Sequence, residues 1–181
     1  TSLLPKNNLV VNYDFSKSAG YTRGATTATN LAGTASGNPT LYNSPIFMNS
    51  LGFISFNGSN QYLATPNIRT YFKSVNTSAQ RSFTMSFWFY PLTATGVLVS
   101  ELDSQAPSVG WHASNVEILN GFIKYRIWNG PIITSSSAVS LNQWHHIALI
   151  YDGVSVKGYL NGVLQGTQAG AREIPPTSQN Y

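Results

Sequence analysis

The chain has 181 residues, of which 42% are hydrophobic and only 9% are charged, and it contains no cysteine. This length predicts one domain with a substantial core. The missing cysteines exclude disulfide bonds, a thiol nucleophile and a cysteine-ligated zinc site.

The formal net charge is +4, but the 10 Lys and Arg residues are scattered along the chain. A nucleic-acid-binding protein gathers its cations into a patch, so the sequence predicts no nucleic-acid partner. No apolar stretch reaches the roughly 18 residues that span a membrane, so no membrane insertion is expected. The abundance of Ser, Thr, Asn, Gln and Gly favours an extracellular or virion-surface location. The start at Thr1, without a signal peptide, predicts a piece of a longer polypeptide.

The first part of the chain predicts short strands between long connections. Residues 9–15 alternate between apolar and polar positions, which predicts a strand with one buried face. Residues 16–38 are rich in Gly, Ala, Thr, Ser and Asn, a composition typical both of a long surface loop and of a flexible linker. Residues 41–48 predict a weak strand broken by Pro45.

Two short strands then predict a hairpin, with residues 53–56 and 61–64 on either side of a turn at 57–60. Residues 65–80 have apolar residues at helix-like spacing. This spacing is typical of one helical turn, and an irregular crossing loop remains an open alternative.

Residues 82–90 have the clearest strand pattern. One face is wholly apolar and is predicted to be core: Phe83, Met85, Phe87 and Phe89. The other face carries Trp88 and Tyr90, a pattern typical both of a groove floor and of a half-covered sheet.

The following segments predict further antiparallel strands. Residues 97–102 and 110–114 are short strands, and residues 116–128 predict a hairpin turned at Asn120-Gly121. Residues 132–137 predict an edge strand. The second arm of the hairpin has these inward positions: Ile123, Tyr125 and Ile127.

Residues 144–151 and 154–160 predict two adjacent strands joined at Asp152-Gly153, with a second turn at Asn161-Gly162. Both faces of the first strand are largely apolar, which predicts a position in the middle of a sheet that is covered on each side, at least in part. Trp88 and Trp144 are therefore predicted to be core or near-core.

About a dozen short strands with Gly and Asn turns predict an all-β, antiparallel two-sheet sandwich. Three segments follow one another in the order typical of a known protein family. They are FNGSNQYL at 56–63, FTMSFWFYP at 83–91, and WHHIALIYDG followed by KGYLNG within 144–162. Together they resemble laminin-G-like and pentraxin-like modules of the concanavalin A-like lectin/glucanase superfamily. The resemblance covers roughly residues 9–166 and implies a jelly-roll sandwich, with residues 1–181 as a single domain. It also implies that residues 16–38 are a long surface loop rather than a flexible linker.

The C-terminal end departs from this family pattern. Family members continue with further strands after the Y-L-N-G hairpin, whereas here residues 167–181 include Pro175-Pro176 and few apolar residues. The comparison implies that the final strands are missing or are supplied by another chain or domain, because an open edge invites pairing.

One acidic pair resembles part of an enzyme motif. Glu101-Leu102-Asp103 resembles the start of the E-x-D-x-x-E signature of laminarinase-type glycoside hydrolases, which place two carboxylates about 5 Å apart. The position of the second glutamate is Ala106, followed by Pro107. We therefore expect no catalytic residues and no enzyme activity, and a hydrolase is the third alternative.

Metal binding has weak support in the sequence. His145 and His146 are neighbours on a strand and point to opposite faces, and His112 lies in a different strand. The expectation is no metal site and no cofactor. Calcium remains an open alternative because relatives bind it at the sandwich rim, and Asp103 is then the candidate ligand. Asp152 is explained by its turn.

Glycan binding needs an aromatic platform beside amide groups. Trp111 with Asn115, and Trp128 with Asn129, match this requirement, although each tryptophan can equally cover the open side of a sheet. The sequence thus predicts a non-catalytic recognition module that binds glycans on a secreted, cell-surface or viral protein. The alternative is a structural or decorating domain of a virion or fibre, acting through contacts with neighbouring protein subunits.

Overall fold

A computed structural model describes residues 8–33, 37–48, 50–66, 68, 71, 82–102, 112–127 and 130–169. The named elements are 12 β-strands, and all pairings between them are antiparallel. The predicted all-β class is thereby confirmed. The described residues divide into two compact units, which lie within Thr1–Ile68 and Arg69–Ser178. The prediction of a single domain stays a prediction.

The first unit is built from two short strand pairs. Its strands are β1 Thr40–Tyr42, β2 Ile46–Met48, β3 Phe53–Ser55 and β4 Tyr62–Ala64. Strand β1 pairs with β4, and β2 pairs with β3. Its core is centred on Tyr21, Ala28 and Leu41, and the Tyr21 ring lies edge-on to Phe47 with centroids 4.8 Å apart.

The strand predicted at residues 9–15 is wrong, because Asn30 holds this segment by its side chain. Asn30 Oδ1 accepts a hydrogen bond from the Asn12 N–H at 2.9 Å, and Asn30 Nδ2 donates to the Val10 carbonyl at 3.0 Å. A buried amide thus takes over hydrogen bonds that a sheet ladder would supply. Alternation along the sequence cannot reveal such a partner.

The hairpin predicted between residues 53–56 and 61–64 is also wrong, since β3 and β4 each pair with another strand. Asn57 Oδ1 accepts hydrogen bonds from the N–H groups of Ser59, Asn60 and Gln61 at 3.0, 3.2 and 3.2 Å. The loop therefore closes on its own side chain, and the two strands leave it toward different partners.

The long connections are described in part. The loop predicted at residues 16–38 forms turns where it is described, with one isolated bridge between Thr27 and Thr40. Within residues 65–80, the described positions are 65, 66, 68 and 71, of which Tyr71 is helical. The rest of that segment lies outside the described residues.

The second unit is a sandwich of two four-stranded sheets. Its strands are β5 Phe83–Phe89, β6 Gly96–Leu102, β7 His112–Leu119, β8 Phe122–Tyr125, β9 Ile133–Thr134, β10 His145–Tyr151, β11 Ser155–Leu160 and β12 Val163–Ala169. One sheet has the order β12-β11-β10-β5 and the other β6-β7-β8-β9. The central place predicted for β10 and the edge place predicted for β9 are both confirmed.

Alternating side chains of the two sheets fill the space between them. One sheet contributes these buried residues: Val116, Ile118, Ile123, Tyr125 and Ile133. The other contributes these: Phe89, Ile147, Leu149, Tyr151, Val156 and Leu160. The predicted inward positions of the β8 arm are confirmed. The turn at Asn120-Gly121 has φ of 53° and 84°, as a tight hairpin turn requires.

A pair of glycines lets the two sheets approach closely. Gly158 pairs with Gly166 across β11 and β12, and Tyr125 pairs with Ile133 across β8 and β9. A Cβ atom at Gly158 would lie 2.7 Å from Tyr125 ring atoms, and one at Gly166 would lie 3.0 Å from Ile133 Cγ2. Two small residues in one sheet thus accommodate two large ones in the other.

Tyr125 is also anchored at its polar end. Its hydroxyl donates a hydrogen bond to the Tyr159 carbonyl at 2.9 Å, joining the two sheets. The register of β11 against β12 shifts between Gly158 and Tyr159, which marks a β-bulge at the same place.

The hairpin of β10 and β11 continues into β12, the last described strand. Residues 170–181 lie outside the described residues, so the expectation of missing or externally supplied strands stays a prediction. In the part of the chain that is described, no helix has the length and apolar character to span a bilayer.

Candidate functional site

Aromatic side chains gather on the outer face of the β12-β11-β10-β5 sheet. Strands β5 and β10 are neighbours, and their register places Trp88 directly opposite His146. Tyr90 and Trp144 follow at the same end, with ring centroids 5.5 Å apart. We call these four side chains, Trp88, Tyr90, Trp144 and His146, the aromatic face.

The aromatic face is open to solvent. Trp88 is 67% exposed, Trp144 46% and Tyr90 42%. The prediction that Trp88 and Trp144 are core or near-core is therefore wrong. The inner positions of the two strands belong to alternate residues such as Phe89 and Ile147, which leaves the tryptophans on the opposite side of the sheet.

Ring contacts hold the aromatic face in a defined arrangement. The Trp88 and His146 rings lie 5.1 Å apart at an interplanar angle of 57°, and the Tyr90 and Trp144 rings meet at 63°. Each ring thus contacts one other ring of the aromatic face. The rings therefore lose little further freedom when a ligand covers them.

Small and polar side chains adjoin the rings. Ser86 Oγ and His146 Nε2 are 2.8 Å apart, within hydrogen-bonding distance. Ser86 pairs with Ala148 across the two strands, and Ala148 pairs in turn with Tyr159 of β11. The small side chains of Ser86 and Ala148 thus lie between Trp88 and Tyr159 on this face, and the His146 imidazole lies beside them.

Asn161 fixes the end of β10 from beneath this face. Its Oδ1 accepts a hydrogen bond from the His146 N–H at 2.9 Å, so its Nδ2 is the group facing His145 Nδ1 at 3.1 Å. An amide nitrogen donates, so His145 Nδ1 accepts and Nε2 donates to the Ser140 carbonyl at 2.9 Å. Both ring nitrogens of His145 are therefore engaged in the structure.

Asp152 is satisfied by its own turn, as the sequence predicted. Its Oδ1 accepts from the N–H groups of Val154 and Ser155 at 3.0 and 2.8 Å. Its Oδ2 lies 2.6 Å from Lys157 Nζ. The Lys157 hydrogen bond, followed by those two N–H groups, holds the pKa of Asp152 well below its usual value. This carboxylate is explained without a metal ion.

Comparison with known proteins identifies the family. Residues 57–181 match a laminin G family described as the concanavalin A-like lectin/glucanases superfamily. The chain belongs to this superfamily. The resemblance noted in the sequence is thereby confirmed, and the facing sheets described above are consistent with the superfamily's jelly-roll sandwich.

A solved structure is similar to this superfamily member over much of its length. It is domain 4 of AbnA, a GH43 extracellular arabinanase from Geobacillus stearothermophilus, in complex with arabinotriose, with 16% identity and a TM-score of 0.40. The similarity covers 87% of this chain, which spans 66% of that structure. A search of curated protein sequences gave no match.

Most residues predicted to bind a ligand lie outside the described residues, namely Trp111, Trp128, Asn129 and the candidate calcium ligand Asp103. Asn115 is described: it lies on β7, is 2% exposed, and its Oδ1 has no hydrogen-bond partner among the described residues. Its backbone carbonyl accepts from the Arg126 N–H at 2.9 Å. The structure does not bring these residues together within its described part, and their role stays a prediction.

The residues of the partial hydrolase motif and the histidines are placed as follows. Glu101 is completely buried on β6, whereas Asp103 and Ala106 lie outside the described residues. His145 is buried and His146 lies on the outer face, as the alternation predicted. Across the described segments, no three His, Asp or Glu side chains are grouped to hold a metal ion.

Sequence reasoning missed the aromatic face, although part of its signal was present. Alternation placed Trp88 and Tyr90 on one face of their strand, and Trp144 and His146 on one face of theirs. The missing information was that β5 pairs with β10 in this register, because the two strands are far apart in sequence. Only that pairing makes one surface of the four residues.

Proposed function

We propose that the chain is a non-catalytic recognition module whose aromatic face binds glycans, on a secreted, cell-surface or viral protein. The observation that carries this proposal is the exposure of Trp88, Tyr90 and Trp144 together on one sheet face. Exposed aromatic clusters are uncommon on a surface that serves only solubility. Membership of the concanavalin A-like lectin/glucanases superfamily is compatible with this role.

The chemistry of the face suits sugars. The C–H faces of a sugar ring are apolar and stack on aromatic rings, while its hydroxyls need polar partners. Ser86 and His146 are within hydrogen-bonding distance of each other at 2.8 Å, and both lie beside Trp88. A sugar stacked on Trp88 can therefore exchange hydrogen bonds with this pair.

The absence of catalysis is part of the proposal and rests on the carboxylates. Hydrolysis of a glycosidic bond needs two carboxyl groups that reach the substrate. Glu101 is completely buried, and alanine occupies the position where the related enzymes carry their second glutamate, Ala106. Wild-type protein is accordingly expected to leave β-glucans intact in a reducing-sugar assay.

Trp88→Ala tests the proposed face. We expect glycan-array binding to weaken about two- to tenfold, because aromatic stacking contributes about 0.5–1.5 kcal/mol beyond area burial. Trp88 is largely exposed, so the thermal midpoint should stay close to that of wild type. Val154→Ala is the matched control, since Val154 is an exposed apolar residue in the turn at the other end of β10.

Substitutions of the tryptophans predicted from the sequence to bind glycan, Trp111 and Trp128, test the alternative site. If Trp111→Ala or Trp128→Ala abolishes glycan binding while Trp88→Ala binds normally, the aromatic face is not the site. The proposal also fails if wild-type protein binds no glycan on an array that includes extended polysaccharides.

Strand β12 favours a second candidate, a structural or decorating role in a larger assembly. Among the described strands it has one hydrogen-bonded neighbour, β11, and it carries the exposed side chains of Val163 and Leu164. Edge strands with apolar side chains pair readily with other chains. Sedimentation analysis tests this role: self-association that Leu164→Lys abolishes would support it, and a monomer at all concentrations would count against self-assembly.

A further inference from the structure

The sheet that carries the aromatic face is almost free of charge. Across the strands β5, β10, β11 and β12, all of which are described, Lys157 is the sole Asp, Glu, Lys or Arg residue. Its ammonium group lies 2.6 Å from Asp152 Oδ2, so its charge is balanced by a neighbouring carboxylate. The face therefore presents no uncompensated cation from its own strands.

Acidic sugars require a cationic partner, which the strands of this sheet do not offer in unpaired form. A carboxylate or sulfate pressed against aromatic rings loses water and needs an Arg or Lys partner in return. On the aromatic face, the groups beside Trp88 are the Ser86 hydroxyl and the His146 imidazole, together with Ala148. Hydroxyl groups of a neutral sugar can be satisfied by these partners at no such cost.

The net charge of the whole protein, in contrast to that of the aromatic face, favours acidic ligands. A value of +4 predicts attraction of acidic polymers. The described cations of the second unit other than Lys157 lie toward the other sheet: Lys124 is on β8 and Arg126 follows it. Lys124 Nζ donates to Thr134 Oγ1 at 3.3 Å, and Arg126 Nε donates to the Ser114 carbonyl at 2.9 Å.

We infer that the ligand class of the aromatic face is electrically neutral glycan, and that uronic, sialylated and sulfated glycans are not its ligands. This inference rests on the proposed glycan-binding function and specifies its chemistry. Affinity comes from ring stacking and neutral hydrogen bonds, so it is nearly independent of salt. Acidic polymers that reach the protein do so elsewhere, weakly and in a salt-sensitive manner.

A glycan array with neutral and acidic members, read at pH 8 in 50 mM and 500 mM NaCl, tests the inference. The expected hits are neutral glycans whose signal changes less than about twofold between the two salt concentrations. Trp88→Ala should weaken these hits about two- to tenfold, whereas Lys157→Gln should retain them. Thermal midpoints of both variants confirm that they are folded.

The other outcomes separate the two proposals. Acidic glycans that bind wild type, decline with salt and are lost in Trp88→Ala would leave the aromatic face as the site and overturn the neutral assignment. Loss of acidic-glycan binding in Lys157→Gln would overturn it in the same way. Absence of any glycan signal in wild type overturns the proposed function, and the inference with it.

Discussion

Asp152 illustrates how one side chain can define a turn and its electrostatics together. Its two oxygens serve two N–H groups and the Lys157 ammonium, which leaves the carboxylate charged and fully engaged. The folded-state pKa of this carboxyl is lowered, so its contribution to stability is present above its unfolded pKa of about 4. That contribution is lost as the pH falls through the folded-state pKa.

Asp152→Asn should therefore lower the urea midpoint at pH 7 and have a smaller effect at pH 3, which lies below the unfolded pKa of about 4 but above the lowered folded-state pKa. Asparagine keeps an oxygen for the turn but cannot pair with Lys157 as a charge. Urea is preferred as denaturant because a salt would screen the pair. An equal loss at both pH values would show that the charge is irrelevant.

Tyr125→Phe tests the bond between the two sheets. Burial raises the pKa of Tyr125, and its hydroxyl donates to the Tyr159 carbonyl. We expect a loss of about 0.5–1.5 kcal/mol at pH 7, measured by urea unfolding. A raised pKa contributes stability below the unfolded value of about 10, which disappears as the pH rises further. The difference between wild type and variant should shrink at alkaline pH, and a constant difference would contradict this assignment.

At the scale of elements, β11 can pack closely against β8 because Gly158 has no side chain. Gly158→Ala should cost about 1–3 kcal/mol, because the added methyl group meets the Tyr125 ring at 2.7 Å. Gly96→Ala is the matched control, since a Cβ atom there has no neighbour within 4 Å. We expect the control to stay within about 0.5 kcal/mol of wild type. Equal urea midpoints for the two variants would argue against the close approach of the sheets.

Strands whose signal is local were predictable from the sequence. The apolar density of residues 144–151 and the turns at Asp152-Gly153 and Asn161-Gly162 predicted β10 and β11 correctly. At these turns, Gly153, Asn161 and Gly162 have positive φ, which few residue types adopt easily.

Elements that depend on distant partners were not predictable in the same way. The strand expected at residues 9–15 is replaced by hydrogen bonds to Asn30, and β3 and β4 pair away from each other. The aromatic face required the pairing of β5 with β10, more than fifty positions apart in the chain. Local periodicity assigned its residues to strand faces but carried no information on which faces adjoin.

For the whole molecule, scattered charge argues against nucleic acid as a partner. Lys17 and Lys157 lie 2.8 and 2.6 Å from Asp14 and Asp152, so these two cations are balanced locally. We expect no DNA or RNA binding tighter than about 10⁻⁶ M at physiological salt, measured by fluorescence anisotropy. Nanomolar affinity with a steep salt dependence would contradict the prediction.

Inward and outward side chains alternate along β5 and β10, and this determines which positions tolerate substitution. Inward residues such as Phe89 and Ile147 hold the sandwich together, whereas their immediate neighbours Trp88 and His146 face solvent. The outward residues can therefore be substituted without disturbing the fold. A combinatorial library randomised at positions 86, 88, 146 and 148 should yield folded proteins with new specificities.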